Sequence, residues 1–156
     1  MSLERAKAHL MQRGLADRIM EFDQSSATVE LAAQAVGCEA ARIAKTLSFH
    51  MGERVALILF AGDARIDNRK FKDRFHSKAK MLAASEAEEL IGHGVGGVCP
   101  FGANECCDVY LDESLRRFDV VYPAAGTPAS AVRLTLDELE VACAPCAWVD
   151  VSKLPA

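Results

Sequence analysis

Residues 92–102 run Gly92-His93-Gly94-Val95-Gly96-Gly97-Val98-Cys99-Pro100-Phe101-Gly102, with five glycines and one proline. Glycine allows positive φ and close backbone approach, while proline fixes φ and removes an amide donor, so this is neither a helix nor a strand interior. The interleaved Val95, Val98 and Phe101 predict a loop packed onto the body of the protein. Such a loop exposes main-chain amides that can hold an anion or a developing oxyanion. A turn that only joins two elements fits the same composition. Gly92-x-Gly94-x-x-Gly97 also matches the dinucleotide fingerprint, with Asp112 downstream. Its context rejects that reading: it follows a predicted helix, and Pro100, Gly102 and Asn104 spoil the helix that should come next.

Lys45 is the second chemical feature. It opens a predicted strand in the apolar setting Ile43-Ala44-Lys45-Thr46-Leu47. A lysine there can snorkel to solvent, or it can project a fixed cation toward a phosphate or carbonyl oxygen at the sheet's end. Cys99 could serve as a nucleophile, but with no evident paired histidine it reads as a small lining residue. His93 borders the loop and could be an acid or base, though structural service explains it equally simply. Cys143-Ala144-Pro145-Cys146 has redox spacing, yet it ends a predicted helix, where the dipole does not lower a thiol pKa. Adjacent Cys106 and Cys107 lack a second CxxC for zinc. The six cysteines are read as reduced and inert. There is no Walker loop, serine elbow or HExxH.

The elements that must position these residues are short. Apolar periodicity and stop signals predict helices over 2–13, 28–36 and 67–75, and a further turn over 39–44. Strands are predicted over 18–22, 45–51 and 54–61, the last two as a hairpin around Gly52-Glu53, then over 78–82. Ser85-x-x-Glu88 and Thr135-x-x-Glu138 read as capping boxes of two more helices. Strands over 108–112, 119–124, 131–134 and 148–151 complete the chain, with a helical turn over 113–116. Without regular β-α alternation, the expected class is α+β, a mixed, barrel-like sheet flanked by short helices, in one domain over 1–156.

The 156 residues are 51% hydrophobic and 26% charged, with a formal charge of −4. The longest apolar run, 55–61, is too short to span a bilayer, and the N-terminal residues have no signal-peptide pattern, so a cytoplasmic location is expected. The net charge argues against a non-specific nucleic-acid coat. Between 65 and 80, however, Arg65, Arg69, Lys70, Lys72, Arg74, Lys78 and Lys80 face only Asp67 and Asp73. Such a run is a solvated face or a footprint for a phosphate backbone.

Ile43-Ala44-Lys45-Thr46-Leu47, Ala61-Gly62-Asp63 with Lys70-Phe71, the 95–102 segment and Tyr110-Leu111-Asp112-Glu113-Ser114-Leu115 together resemble the YbaK/EbsC family. These are aminoacyl-tRNA deacylases whose fold also occurs as the editing insertion of bacterial prolyl-tRNA synthetases. The resemblance implies hydrolysis, without a cofactor or metal, of the ester on mischarged tRNA, with tRNA(Pro) as the expected partner and prolyl-tRNA synthetase as a further one. It maps the family's Gly-x-x-x-Pro loop onto Gly96, Gly97, Val98, Cys99 and Pro100, and its essential lysine onto Lys45. Thr46, Phe101, Gly102, Asp112, Gly126 and Ser130 are expected around the substrate, and the basic 65–80 segment against acceptor-stem phosphates. Gly126-Thr127-Pro128-Ala129-Ser130 lacks the charges of the cysteine-clearing branch. Thr46 replaces the asparagine of the alanine-clearing branch, and no histidine follows His93. A neutral pocket lined by Thr46, Val98 and Ser130 would suit alanine or 2-aminobutyrate. A non-catalytic module holding a tRNA end or nucleotide is the alternative.

Overall fold

The computed structural model describes residues 2–94 and 96–155; Val95, which the sequence reading placed in the packed loop, lies outside them. Its helices are α1 (Ser2–Met11), α2 (Val29–Val36), α3 (Asn68–Phe75), α4 (Ala84–Ile91) and α5 (Leu136–Cys143). Its strands are β1 (Ile19–Glu21), β2 (Ile43–Met51), β3 (Arg54–Ala61), β4 (Arg65–Ile66), β5 (Cys107–Asp112), β6 (Val120–Pro123), β7 (Ser130–Val132), β8 (Leu134–Thr135), β9 (Ala147–Val149) and β10 (Ser152–Lys153). A curled, mixed sheet in the order β8-β6-β2-β3-β5-β9 forms the body, and the β1–β7 and β4–β10 pairs are appended to it.

The β2–β3 hairpin is the centre, turned at Gly52 with φ of 65°. β3 is buried on both faces beyond Arg54, as its near-continuous apolar run requires. On one face, Phe49, Ala56, Ile58 and Phe60 share the main core with Phe71 and Phe101. On the other, Val55 and Leu57 pack against Leu82, Ala87 and Ile91. Phe71 is the buried residue of α3 and stacks between Phe49 and Phe75 at centroid distances of 4.9 and 4.8 Å. Burying such a ring contributes about 1.5–3 kcal/mol, enough to seat a short, highly charged helix.

Local chemistry sets the helix ends. Thr28 accepts from the Leu31 amide, Asp67 from those of Arg69 and Lys70, and the Thr135–Glu138 box caps α5. The Ser85–Glu88 box does not form. α4 starts earlier than that box would place it because Glu86 accepts from the Ala83 amide. Residues 78–82 are not a strand: they meet β2 through a single bridge, Phe49 to Met81, flanked by His50 N–H to Lys80 and Leu82 N–H to Ser48. The expected 131–134 strand divides between β7, which pairs with β1, and β8, which pairs with β6. The expected closing strand over 148–151 is β9, which ends at Val149, and the further strand β10 follows it and pairs with β4.

Candidate active site

β6 pairs with β2 only at Ile43 and Ala44, and the contact with the 80–82 segment begins at Ser48. Between them, among the described residues, no strand pairs with this edge of β2 at Thr46. Main-chain groups of alternate residues point to the same edge of a strand, so those of Thr46 face the gap. The gap is a cavity of about 290 Å³. Thr46, Gly96, Val98 and Tyr122 are among its walls, with the 26–29 segment on one side and Ala83, Ala84 and Ala87 on another. The Thr46 hydroxyl oxygen is buried and has no partner among the described residues, so it is available to a guest. Among the described lining residues, Lys45 alone carries a charge.

Lys45 also lines a second cavity of about 680 Å³, with Glu30, Gly62, Asp63, Arg65 and Lys153. Its Nζ donates to the Gly62 carbonyl at 3.3 Å. Burial is the main cause pulling its pKa down, and the Arg65 charge acts in the same sense against Asp63 and Glu30. Asp63 is held by both Arg117 guanidinium nitrogens, at 2.6 and 3.0 Å, and that hydrogen bond keeps its carboxyl below the usual range. Gly62 has no room for a side chain, since a Cβ would stand 2.0 Å from the Ala40 carbonyl oxygen. The lysine is thus fixed at the junction of two cavities.

The glycine loop is positioned by main-chain packing. Gly96 has φ of 87° and faces Ala27 and Pro128. A Cβ on Gly97 would lie 2.4–2.5 Å from the Gly126 and Thr127 backbone, so the loop sits directly on the 125–130 turn. The Gly97 amide donates to the Gly94 carbonyl at 3.1 Å. Two histidines hold the far end: His93 Nε2 bonds the Phe101 carbonyl at 2.7 Å, and Gly102 N–H donates to His9 Nδ1 at 3.0 Å. Burial is the chief cause lowering the pKa of both rings.

Of the residues expected from the sequence, Lys45, Thr46, Gly96, Val98 and Ser130 come together at the first cavity. Gly97, Cys99, Pro100, Phe101 and Gly102 lie behind it as support. Cys99 and Phe101 are core residues, and burial pushes the Cys99 thiol up to about 12, which leaves it a poor nucleophile. Asp112 is corrected from substrate contact to staple: it lines neither cavity, is fully buried, and accepts from Ser114 N–H, Val151 N–H and the Ser152 hydroxyl. The Ser130 hydroxyl accepts from Ala125 N–H and donates to the Thr127 carbonyl, which closes the turn bearing Gly126. Of the basic segment only Arg65 lines either of these two cavities. Lys70 instead ties α3 to Asp150 at 3.1 Å and the Ser152 carbonyl at 2.8 Å, whereas Arg69, Lys72, Arg74, Lys78 and Lys80 are exposed. The sequence reading missed Ser26 and Tyr122 on the first cavity and Gly62 and Lys153 on the second. Ser26 was hidden within a helix-capping signal, and Lys153 carried none. Cys143 is the buried last residue of α5, and burial, which the dipole argument did not invoke, raises its thiol pKa.

The model of the aminoacyl-tRNA editing domain matches residues 23–141. The uncharacterized protein YwhH of Bacillus subtilis (strain 168) is 47% identical over 154 residues, which are 98% of each chain. A solved structure provisionally described as a trans-editing enzyme for prolyl tRNA synthetase superposes with a TM-score of 0.87 at 33% identity, covering 97% of both chains. No helix among the described residues is long and apolar enough to cross a membrane.

Proposed function

The chain belongs to the aminoacyl-tRNA editing domain family, and we propose that it hydrolyses the ester of mischarged tRNA in trans. The proposed substrate class is tRNA(Pro) carrying alanine, 2-aminobutyrate or cysteine, met in the cytoplasm and in company with prolyl-tRNA synthetase. One observation carries this reading: a small, largely apolar cavity opens at Thr46, with Lys45 as its single charged residue among the described ones. At about 290 Å³ it falls just below the ligand-pocket range of about 300–1,000 Å³. That size has room for a whole aminoacyl group, and the alanine-rich wall suits a small apolar side chain. One methylene is worth only about 1–3 kcal/mol in such a pocket, so neighbours in this series are separated weakly.

An aminoacyl ester is already activated, so positioning and oxyanion stabilisation can supply the catalysis. Water adds to the ester carbon, the carbonyl oxygen takes the negative charge, and the tRNA ribose leaves with a proton. Amides of the 96–99 segment receive the oxyanion. Gly97 is the exception in this conformation, because its N–H is engaged by Gly94. Lys45 orients the terminal nucleotide, and the ribose 2′-hydroxyl assists the attacking water. Cys99 takes no covalent part, since its thiol stays protonated near neutrality.

The test is release of amino acid from alanyl-, 2-aminobutyryl- and cysteinyl-tRNA(Pro) by the wild type and Lys45→Ala. The wild type hydrolyses at least one, and the variant is slower by about 10²–10³, the usual effect of removing one transition-state interaction. Equal rates would remove the role given to Lys45. Binding of tRNA with no hydrolysis of any of the three would establish the non-catalytic module instead.

A further inference from the structure

The second cavity is larger than the first, shares Lys45 with it, and has a different chemistry. Its cations are Lys45, Arg65 and Lys153, and its carboxylates are Glu30 and Asp63. Asp63 is already neutralised by Arg117, which leaves three cations facing Glu30. This positive chamber belongs to a chain of formal charge −4, so it is a local construction and not a reflection of bulk charge.

Arg65 and Lys153 are paired residues of two short antiparallel strands, β4 and β10. Directly paired residues on one strand pair hold their Cβ atoms about 4.5–5.5 Å apart. Like charges placed directly opposite each other on a strand pair are unfavourable, and an anion held between them relieves this. Among the described residues neither side chain forms an ion pair, and both are exposed at the cavity. Leu154 and Pro155 continue the wall beyond Lys153 as apolar surface. Cations with apolar surface next to them suit a nucleotide: phosphate on the first, base on the second.

Resting on the deacylase reading above, we infer that the second cavity seats the phosphate-bearing single-stranded 3′ end of the RNA, with Arg65 and Lys153 as its phosphate ligands. Lys45 then stands where the last nucleotide passes from the second cavity to the first, so that the ester enters at Thr46. The RNA path follows the β4–β10 pair, with the exposed side of α3 outside the chamber. Lys70 is no part of it, because it is engaged with Asp150 and Ser152.

The test is binding of an uncharged acceptor-stem RNA hairpin with a single-stranded CCA end, measured by fluorescence anisotropy over a salt series. The same hairpin without its single-stranded end is the comparison. Arg65→Gln plus Lys153→Gln should weaken the CCA-ended hairpin tenfold or more and leave the trimmed one unchanged. The salt slope should fall by about 0.7 for each phosphate no longer neutralised, as for single strands. Thermal unfolding of the double variant should match wild type. Equal binding by wild type and variant would overturn the inference, and so would equal weakening of both hairpins, which would make the two residues a general surface patch. AMP binding as tight as the hairpin and equally dependent on Lys153 would make the chamber a mononucleotide site and overturn it as well. These RNAs carry no ester, so failure to hydrolyse aminoacyl-tRNA would sink the proposed function without touching this result.

Discussion

Replacing Gly97 with alanine puts a methyl carbon 2.4 Å from the Gly126 carbonyl carbon and 2.5 Å from both the Gly126 oxygen and the Thr127 nitrogen. All three atoms are main chain, so no rotamer change relieves the clash. Ordinary van der Waals separation begins near 3.4 Å, so the loop and the 125–130 turn must separate by about 1 Å. Overpacking of this kind costs about 1–3 kcal/mol. At about 2–4 °C per kcal/mol for a chain of this size, Tm should fall by roughly 2–12 °C. The effect on rate should be larger. Gly96 and Val98 flank the substituted residue, and a displacement of about 1 Å in a positioning group costs about 10²-fold. The assay pairs thermal unfolding with deacylation of alanyl-tRNA(Pro), at a temperature where the variant remains folded. Gly94→Ala is the control from the same loop, since its Cβ would meet only Glu88 Oε2 at 4.0 Å. The reasoning is refuted if Gly97→Ala retains wild-type kcat, or if Gly94→Ala is equally damaging.

Cys99→Ala should fold and keep deacylase activity within several-fold of wild type, because a thiol pushed up to about 12 is not the nucleophile; a folded but inactive variant would reverse that assignment. Lys45 holds its proton less tightly than an ordinary lysine, chiefly through burial, so activity corrected for background hydrolysis should decline at a pH below the usual lysine range; Lys45→Arg should abolish the decline. His9 and His93 have folded pKa values lowered chiefly by burial, so below about pH 6.5 the unfolded state binds more protons than the folded one. Tm should therefore hold above that pH and fall as pH drops beneath it, and both rings should titrate below 6.5 by NMR. Lys70→Gln should cost about 1–2 kcal/mol by removing the bond to the Ser152 carbonyl, while Lys72→Gln, exposed and unpaired among the described residues, should stay within about 0.5 kcal/mol by denaturant unfolding.

The parts of this fold that were legible in the sequence are those governed by local chemistry. Gly52-Glu53 between two apolar runs announced the β2–β3 hairpin, and Thr28, Asp67 and the Thr135–Glu138 box announced helix starts. Local signals failed where two of them competed. Glu86 and Glu88 both offer a capping carboxylate, and the one that reaches Ala83 was decided by Leu82 and Ala87 packing on β3. The division of 130–135 at Arg133 was not legible either, because it reflects which distant strand lies alongside, β1 or β6. Asp112 shows the same limit at the site. A carboxylate beside a recognisable motif reads as a ligand group, but its oxygens are filled by Val151 and Ser152 from the other end of the chain.

What no local pattern could convey is that the site is a failure of pairing. β6 leaves β2 after Ala44, the 80–82 segment arrives only at Ser48, and of the three residues between them Thr46 is the one whose main chain faces this edge. A strand edge left open inside a folded protein costs free energy unless something occupies it, because its amide and carbonyl go unpaired. Here the occupant is the proposed aminoacyl group, which brings a donor in its ammonium and an acceptor in its carbonyl. Lys45 precedes this opening by one residue, so its side chain leaves on the opposite side of the strand and reaches Gly62 and the second cavity. One dipeptide thereby serves two neighbouring spaces: of the pair, only Lys45 also lines the second, charged one, where its ammonium is held by Gly62. That division gives Lys45 and Thr46 separable roles. Thr46→Val, which keeps the shape and removes the hydroxyl, should change the ranking of alanyl, 2-aminobutyryl and cysteinyl substrates and leave binding of uncharged RNA unaltered. Lys45→Ala should lower the rate on all three and preserve their ranking. If Thr46→Val weakens RNA binding, or Lys45→Ala reorders the substrates, the two spaces are not functionally distinct.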